Sequence, residues 1–452
     1  MYEPAREVDV INETDVLVVG SGPAGLAAAL AAARAGVEVT LVERFGCFGG
    51  NITTVGVEGM AWYRHDRTVE ADGIGREFET RAFEMGAAVP ESQSNSYEID
   101  SEGFKVVADT LVAEAGVHPM LHRMFVDPIM DGDRVSGIIT ESKAGREALL
   151  ARRVIDATGD ADVAHRAGAP TRLTPREEMM AVSVMFHLAG VDRRAFIEGV
   201  RADPHTYADW AGTGEWTVDT TGKEDDMYSP FLYKPFALAV DDGLIPADLL
   251  KTLAGTWGAV HESGELTYLN VVHMPGFDGT DPDDLTRAEM EGRQQATHAV
   301  EALRAHTRGC DRVRLRNFGM TLGVRDTRKI VGAYDMTADD VRDQGRFDDS
   351  IGIFPEFIDG YGMLVLPTTG RYYQVPLRNL VPTGVRNLLV AGRSTGGDRT
   401  AHASTRNMGC CAVMGQGAGV AAAVSLGQGV DMAEVDVDRV QAELDRQGVR
   451  LS

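Results

Sequence analysis

A β-branched run, a glycine turn and an alanine-rich helix follow one another from Asp15 to Ala35, and no other feature restricts the fold as strongly. The turn reads Gly20-Ser-Gly22-Pro23-Ala24-Gly25, with Ala29 further along the helix, Gly36 as its stop and a second apolar run at Val37 to Val42. A strand enters the turn, a helix leaves it, and the second strand pairs with the first through a right-handed crossover. Each glycine has its own duty. Gly20 permits the tight turn, Gly22 lets a pyrophosphate reach amides at the positive helix end, and Gly25 lets helix and strand touch. Glu43 closes the second strand about 20 residues on, where a carboxylate accepts the hydroxyls of an adenosine ribose and disfavours a 2′-phosphate. The unit predicts a Rossmann-like α/β chain that holds an adenine dinucleotide.

The rest of the chain arranges itself around that unit. Residues 1–13 read as a loose arm, 56–102 as inserted helices and loops, and 102–116 as a helix. Strands are expected at 117–125, 134–141 and 148–155, with Asp131-Gly132 as a hairpin turn. Composition changes after Ala164: Trp210, Trp216 and Trp257 follow, with a Met-rich run at Met179 to Phe186 and a charged helix from Thr286 to Arg308. The domain expectation is a first part at 1–163, a smaller α+β substrate domain at 164–375, and a return to the first domain at 376–452.

Sixty-eight acidic residues against 44 basic ones give a net charge of −24, which repels phosphate backbones and anionic membranes. Nucleic acid and membrane are therefore not expected partners; a small molecule is, and a homo-oligomer is compatible. The cysteines Cys47, Cys310, Cys410 and Cys411 lack the spacing of a metal cage or a disulfide framework, so no metal is expected and a reducing cytoplasm fits. Neither a signal peptide nor a run of about 18 to 20 apolar residues able to span a bilayer is apparent.

Three further segments decide which dinucleotide is bound. Gly49-Gly50-Asn51 places flexible backbone where amides can meet a flavin phosphate and ribitol. Val154-Ile-Asp-Ala157-Thr158-Gly159-Asp160 is a buried strand ending in a small-residue turn suited to the first glycine loop. Leu388-Leu-Val-Ala-Gly392-Arg393 repeats that design, and the small-residue helix Cys410 to Leu426 follows it. The N-terminus of that helix, near Met408, Gly409, Cys410 and Cys411, is expected to face the flavin pyrimidine ring and favour negative charge there. Arg44, Phe125, Val126 and Asp162 complete the candidate cofactor contacts. By letters Gly415-Gln-Gly417-Ala-Gly419 is a second fingerprint, but no strand precedes it, so helix packing is expected instead.

On these residues the chain resembles the FAD-dependent oxidoreductases of the glutathione-reductase-like fold. The resemblance rests on Asp15 to Gly50, Val154 to Gly168, Leu322-Gly-Val-Arg325-Asp-Thr-Arg328, Tyr373-Gln-Val-Pro376, and Leu389 to Gly419 with Ser404, Arg406, Cys411, Gly415, Gln416 and Gly419. More distantly the chain is similar to succinate dehydrogenase and fumarate reductase flavoproteins and to thiazole-forming enzymes. FAD and redox chemistry are what the resemblance implies. Phe48, Asn51 and Gly417 depart from the family pattern.

Flavin oxidation needs a proton acceptor near the substrate and positive charge near the reduced ring. His402, read as part of a loop before the last helix, is the first candidate for acid/base work, with Arg406 beside it. Arg325 and Arg328 can clamp a carboxylate or pair with Asp326, and Tyr373, at the domain joint, can orient substrate. Covalent flavin attachment through Cys47 or His65 is a minor alternative. The expected function is dehydrogenation of a small polar molecule by hydride transfer to flavin N5, with an unnamed electron acceptor. The alternatives are reduction of an activated C=C bond, a non-catalytic FAD-binding electron-transfer subunit, an RNA-modifying protein, and ring hydroxylation hinted at by Gly397-Asp398.

Overall fold

The structure, a computed structural model, describes residues 6–60, 69–90, 95–202, 217–219, 234–253 and 258–452. His65 and all four tryptophans lie outside the described residues.

The first strand, Asp9–Val19, is sandwiched between two parallel neighbours. Val16 to Val19 pair with Val39–Val42 on one side and with Arg153 to Asp156 on the other. His118–Met120 extends the sheet beyond Val39–Val42. Gly145–Asp156 serves as a hub: its first half pairs antiparallel with Arg134–Ser142, and its last residues pair parallel with Leu388–Val390. Met124–Asp131 closes the hairpin on Arg134–Ser142, turning after Asp131 as expected. Because the core strands run parallel, Val19, Val42, Asp156 and Val390 finish along one edge, the place where open α/β sheets bind ligands.

The first strand begins at Asp9, inside the stretch expected to be loose. Residues 9–13 are mostly exposed, Val10 and Ile11 included, so no buried apolar face marks them as a strand, yet Asp9 to Glu13 find backbone partners at Glu147 to Leu150.

Pro23–Arg34 is the helix that leaves the turn, and it packs along Met408–Gln428. Glycine makes that approach possible. A Cβ on Gly415 would lie 2.0 Å from the Ala24 carbonyl oxygen, and one on Gly419 would lie 2.2 Å from that of Ala28. By length and composition Met408–Gln428 is able to cross a bilayer, contrary to the sequence expectation, but nearly all of it is buried against Pro23–Arg34, Ile74–Glu84 and Ser350–Pro355.

A second layer covers the ligand edge. Its antiparallel sheet orders Ala259–Val260, Glu265–Met274, Val182–Ala189 and Arg314–Phe318. Helix Pro282–His306, started by Asp281 accepting from the Asp283 amide, backs it over a core that includes Phe186, Leu269, Val272, Ala296 and Leu303. Met336 to Leu380 instead join the core that contains the Pro23–Arg34 helix, so the stretch expected to cover substrate as far as 375 divides soon after Val324.

Candidate active site

One open cleft runs from the carboxyl edge of the parallel sheet to the underside of the second sheet. Its floor is the glycine turn. Gly20 sits at φ +95°, and a Cβ there would lie 2.4 Å from the Ala157 carbonyl oxygen. A Cβ on Gly25 would lie 1.8 Å from the Gly20 carbonyl oxygen, whereas one on Gly22 meets nothing within 4 Å. The turn is therefore crowded at Gly20 and Gly25 and open only at Gly22, where the sequence places the pyrophosphate. Gly22 caps the helix without any side-chain bond, so the first-turn amides remain free for a ligand.

Glu43 both builds this turn and faces the cleft. Its carboxylate accepts from Ser21 N at 2.9 Å, Ser21 Oγ at 2.6 Å and Phe45 N at 2.9 Å. A carboxylate has about four acceptor sites, so capacity is left for a ribose hydroxyl. Gly49 N donates to Ser21 O at 2.9 Å, and a Cβ on Gly50 would lie 2.6 Å from Gly22 Cα, which locks the second glycine pair onto the first turn. On the far side Arg393 lies over Gly159 and donates to Asp160 at 2.7 Å; Asp160 also accepts from Thr327 Oγ1 at 2.6 Å.

Gly20, Gly22, Pro23, Ala24, Glu43, Arg44, Gly50, Asn51, Phe125, Ala157, Thr158, Gly159, Asp162, Gly392, Arg393, Met408 and Cys411 line the cleft. Gly25 and Gly49 act behind it as packing positions. Val126 does not reach it, being the extra residue of a bulge between Phe125 and Asp127. Gly409 and Cys410 point the other way on their helix, into the core. Two of the unusual residues find explanations here. Asn51 Nδ2 donates to Met408 Sδ at 3.4 Å, tying the second glycine loop to the last helix, and Gly417 leaves room for Ile351 Cδ1, which a Cβ would meet at 2.4 Å.

The expected catalytic residues separate. Arg325 and Arg406 line the cleft; His402 and Tyr373 do not. His402 lies on a short helix, Arg399–Thr405, rather than in a loop, and is 2 % exposed. Its Nε2 lies 3.1 Å from the Arg325 carbonyl oxygen, which can only accept, so that nitrogen carries the proton. Burial, then the Lys329 charge, pushes the His402 imidazole down to about 3, which keeps it neutral and unsuited to the acid/base role expected of it. Tyr373 is fully buried, bonds Ser404 Oγ at 2.8 Å and packs on Phe354. Arg328 pairs with Asp162 at 2.9 Å. Cys47 does not line the cleft, and burial pushes the lining Cys411 thiol up to about 12.

Sequence reading missed the roof. Ser183, Met185, Tyr268 and Asn270 face the cleft from the second sheet. The register between Val182–Ala189 and Glu265–Met274 shifts twice, between Val184 and Phe186 and again between Phe186 and Leu188. At this double bulge Tyr268 takes a φ of 37°, a left-handed conformation that costs a bulky residue about 1–3 kcal/mol. Bulges of this kind re-aim side chains beside active sites.

Arg325 is the pivotal group of this roof. It donates to Ala181 O and Ser183 Oγ, both at 2.7 Å, and to Asn270 Oδ1 at 2.8 Å. Burial and the nearby Arg406 charge lower its pKa to about 10, which leaves it charged at neutral pH. Arg406 bonds Asp359 through its carboxylate at 3.2 Å and through its carbonyl.

A parallel sheet that carries a dinucleotide turn at its ligand edge, covered by an antiparallel sheet roofing the same cleft, defines a two-layered FAD-binding enzyme. Crowding at Gly20, Gly25 and Gly50, free amides beyond Gly22 and the ribose acceptor Glu43 all fit FAD. Residues 15–444 match the model of the FAD dependent oxidoreductase family, and the chain belongs to that family. Among curated relatives, thiamine thiazole synthase of Saccharolobus islandicus is 35% identical over 165 residues, 33% of this chain and 57% of that protein. The enzyme of the same name from Metallosphaera sedula is 36% identical over 165 residues, 33% of this chain and 55% of that protein. The chain thus spans little more than half the length of these relatives. Among solved structures, a geranylgeranyl bacteriochlorophyll reductase-like protein of Thermoplasma acidophilum has a TM-score of 0.50 at 14% identity, covering 97% of this chain and 82% of that one. That likeness shows the fold.

Proposed function

We propose that this oxidoreductase dehydrogenates a small polar organic molecule at a C–OH, C–NH or activated C–C bond. The observation that carries the reading is the continuity of the cleft: the dinucleotide cradle opens directly into a chamber roofed by Ser183, Met185, Tyr268, Asn270 and Arg325. Bound FAD supplies the two-electron acceptor. The chain supplies the rest. The N-terminus of Met408–Gln428 has no side-chain cap, since Asn407 bonds Ala403 and Ser404 instead, and it favours negative charge at the cleft. Asp359, bonded by Arg406, is assigned the substrate proton because it lines the chamber together with Arg325, whereas the other lining acids serve the dinucleotide cradle. Glu43, Asp160 and Asp162, the other acids among the described lining residues, are held by Ser21, Arg393 and Arg328. Gly415 to Gly419 pack against the first helix and make no second dinucleotide turn, which supports electrons entering from the substrate.

The test is an anaerobic screen of alcohols, amines and hydroxy acids against purified holoenzyme, following the visible flavin absorption. Bleaching by a member of the panel is expected. A flavin that no member reduces, but that an enone or a fumarate-like acceptor reoxidises after photoreduction, would reverse the assigned direction.

A further inference from the structure

We propose that the substrate is an organic acid whose carboxylate is seated on Arg325, Asn270 and Ser183 in the roof of the cleft; this rests on the dehydrogenase reading above and narrows it.

The argument is an account of donors and acceptors. A guanidinium has five N–H donors and no acceptor. Arg325 uses three of them, on a carbonyl, a hydroxyl and an amide oxygen, which are all uncharged. Among the described residues no carboxylate stands within ion-pair distance of it. Since Nη1 supplies two of those bonds and Nη2 the third, one N–H on Nη2 and the one on Nε have no partner among the described residues.

The same bond fixes its neighbour. Because arginine can only donate, the Asn270 atom facing it is the oxygen, and that oxygen also lies 3.0 Å from His273 Nε2. His273 must therefore donate from Nε2, and burial with the Arg325 charge pushes its pKa down to about 3, which makes it the neutral tautomer with its proton there. With its oxygen taken twice, Asn270, which lines the cleft, has only its NH₂ group to offer. Ser183 Oγ accepts from Arg325 and retains its own O–H. On the same cleft Arg406 Nε is buried without a partner.

Two arginines and one carboxylate, Asp359, leave one positive charge uncompensated, and around Arg325 its own free N–H groups, the Asn270 NH₂ and the Ser183 O–H remain to donate. Half-buried at the edge of the cleft, such a charge is open to an anion that enters it. An ionised carboxylate accepts and cannot donate, and its two oxygens match the guanidinium fork, so it satisfies both conditions. An alcohol can accept but brings no negative charge, and an ammonium neither accepts nor compensates the arginine.

The experiment titrates oxidised holoenzyme with acetate at ionic strength held constant by chloride, with acetamide as the uncharged isostere. The readouts are the flavin visible spectrum and thermal unfolding. Acetate is expected to give a saturable spectral shift and to raise the unfolding temperature, with acetamide doing neither. Arg325→Met should weaken acetate at least tenfold, about 1.4 kcal/mol, while the protein stays yellow. Asn270→Asp, which neutralises Arg325 without removing it, should do the same and covers the case in which Arg325→Met fails to fold. Wild-type holoenzyme indifferent to acetate, or equally responsive to acetamide, overturns the proposal and leaves the oxidoreductase reading standing. So does an Arg325→Met protein with altered flavin potential but unchanged acetate affinity, which would assign the arginine to the cofactor.

Discussion

Two alanine substitutions in one turn should produce opposite failures. At Gly25 a methyl group would sit 1.8 Å from the Gly20 carbonyl oxygen, 2.8 Å from its carbon and 3.2 Å from Ala157 Cβ. Two of those atoms are backbone and cannot swing aside, so the start of the helix must lift from the strand. Overpacking of that kind costs about 1–3 kcal/mol. At Gly22 the backbone is extended, φ −63° and ψ −178°, and a methyl group meets nothing within 4 Å. Gly22→Ala should therefore leave the stability of the apoprotein within about 0.5 kcal/mol of the parent. Its methyl group occupies the approach of the pyrophosphate, so FAD affinity should fall about 10- to 100-fold, about 1.4–2.8 kcal/mol. Urea unfolding of the apoproteins and quenching of flavin fluorescence during reconstitution separate the two effects. Parental FAD affinity in Gly22→Ala, or parental stability in Gly25→Ala, would refute this placement of the pyrophosphate.

Three further outcomes are expected. His402→Asn should slow substrate reduction of the flavin less than tenfold, because a buried neutral imidazole outside the cleft transfers no proton; a true acid/base residue is worth about 10²–10⁴-fold, and a loss of that size would restore the histidine to the mechanism. Tyr373→Phe removes the 2.8 Å bond to Ser404 and should cost about 1 kcal/mol in urea unfolding with turnover unchanged; a selective loss of turnover would contradict a packing role. His273, with a folded pKa of about 3 against the 6.5 of an ordinary imidazole, is protonated in the unfolded chain before the folded one, so it withdraws stability as pH falls below 6.5. Between pH 6.5 and 5 that amounts to about 2 kcal/mol at most. Asp156, raised to about 6 by burial, works oppositely and returns stability as pH falls from 6 toward 3.8, so the comparison must be His273→Asn against the parent at pH 7 and pH 5. Equal losses in the two proteins would exclude a contribution from His273.

How far the sequence could be read depended on how local the causes were. The first turn, Glu43, the second glycine pair and the strand ending at Asp156 were legible because spacing along the chain already fixes a strand, a turn and a helix end. The small-residue helix was legible as packing, since glycine and alanine without a preceding strand leave little else. The roof was not. Glu265–Met274 carries no mark of its bulges, which appear only when it pairs with Val182–Ala189, and the left-handed Tyr268 and the inward Asn270 are consequences of that register. His402 misled because it is one helical turn from Arg406, and spacing alone cannot say that the helix ends at Thr405 and that only Arg406 reaches the cleft.

The net charge of −24 would by itself repel an acid substrate, and the roof shows why the total is a poor guide. Most basic side chains near the cleft have acidic partners: Arg123 pairs with Glu147, Arg328 with Asp162, Arg393 with Asp160 and Arg406 with Asp359. Their fields largely cancel within a few ångströms. At about 0.15 M salt, exposed charges more than about 8 Å away are screened, so a ligand inside the cleft responds mainly to the lining cations that have no carboxylate within ion-pair distance among the described residues, Arg325 in the roof and Arg44 beside the glycine turn. An acidic exterior and a cationic roof are therefore compatible, and they divide the work: the exterior affects how fast an anion arrives, while Arg325 affects how long it stays. Raising ionic strength should then speed association of an acid substrate and only modestly hasten its departure.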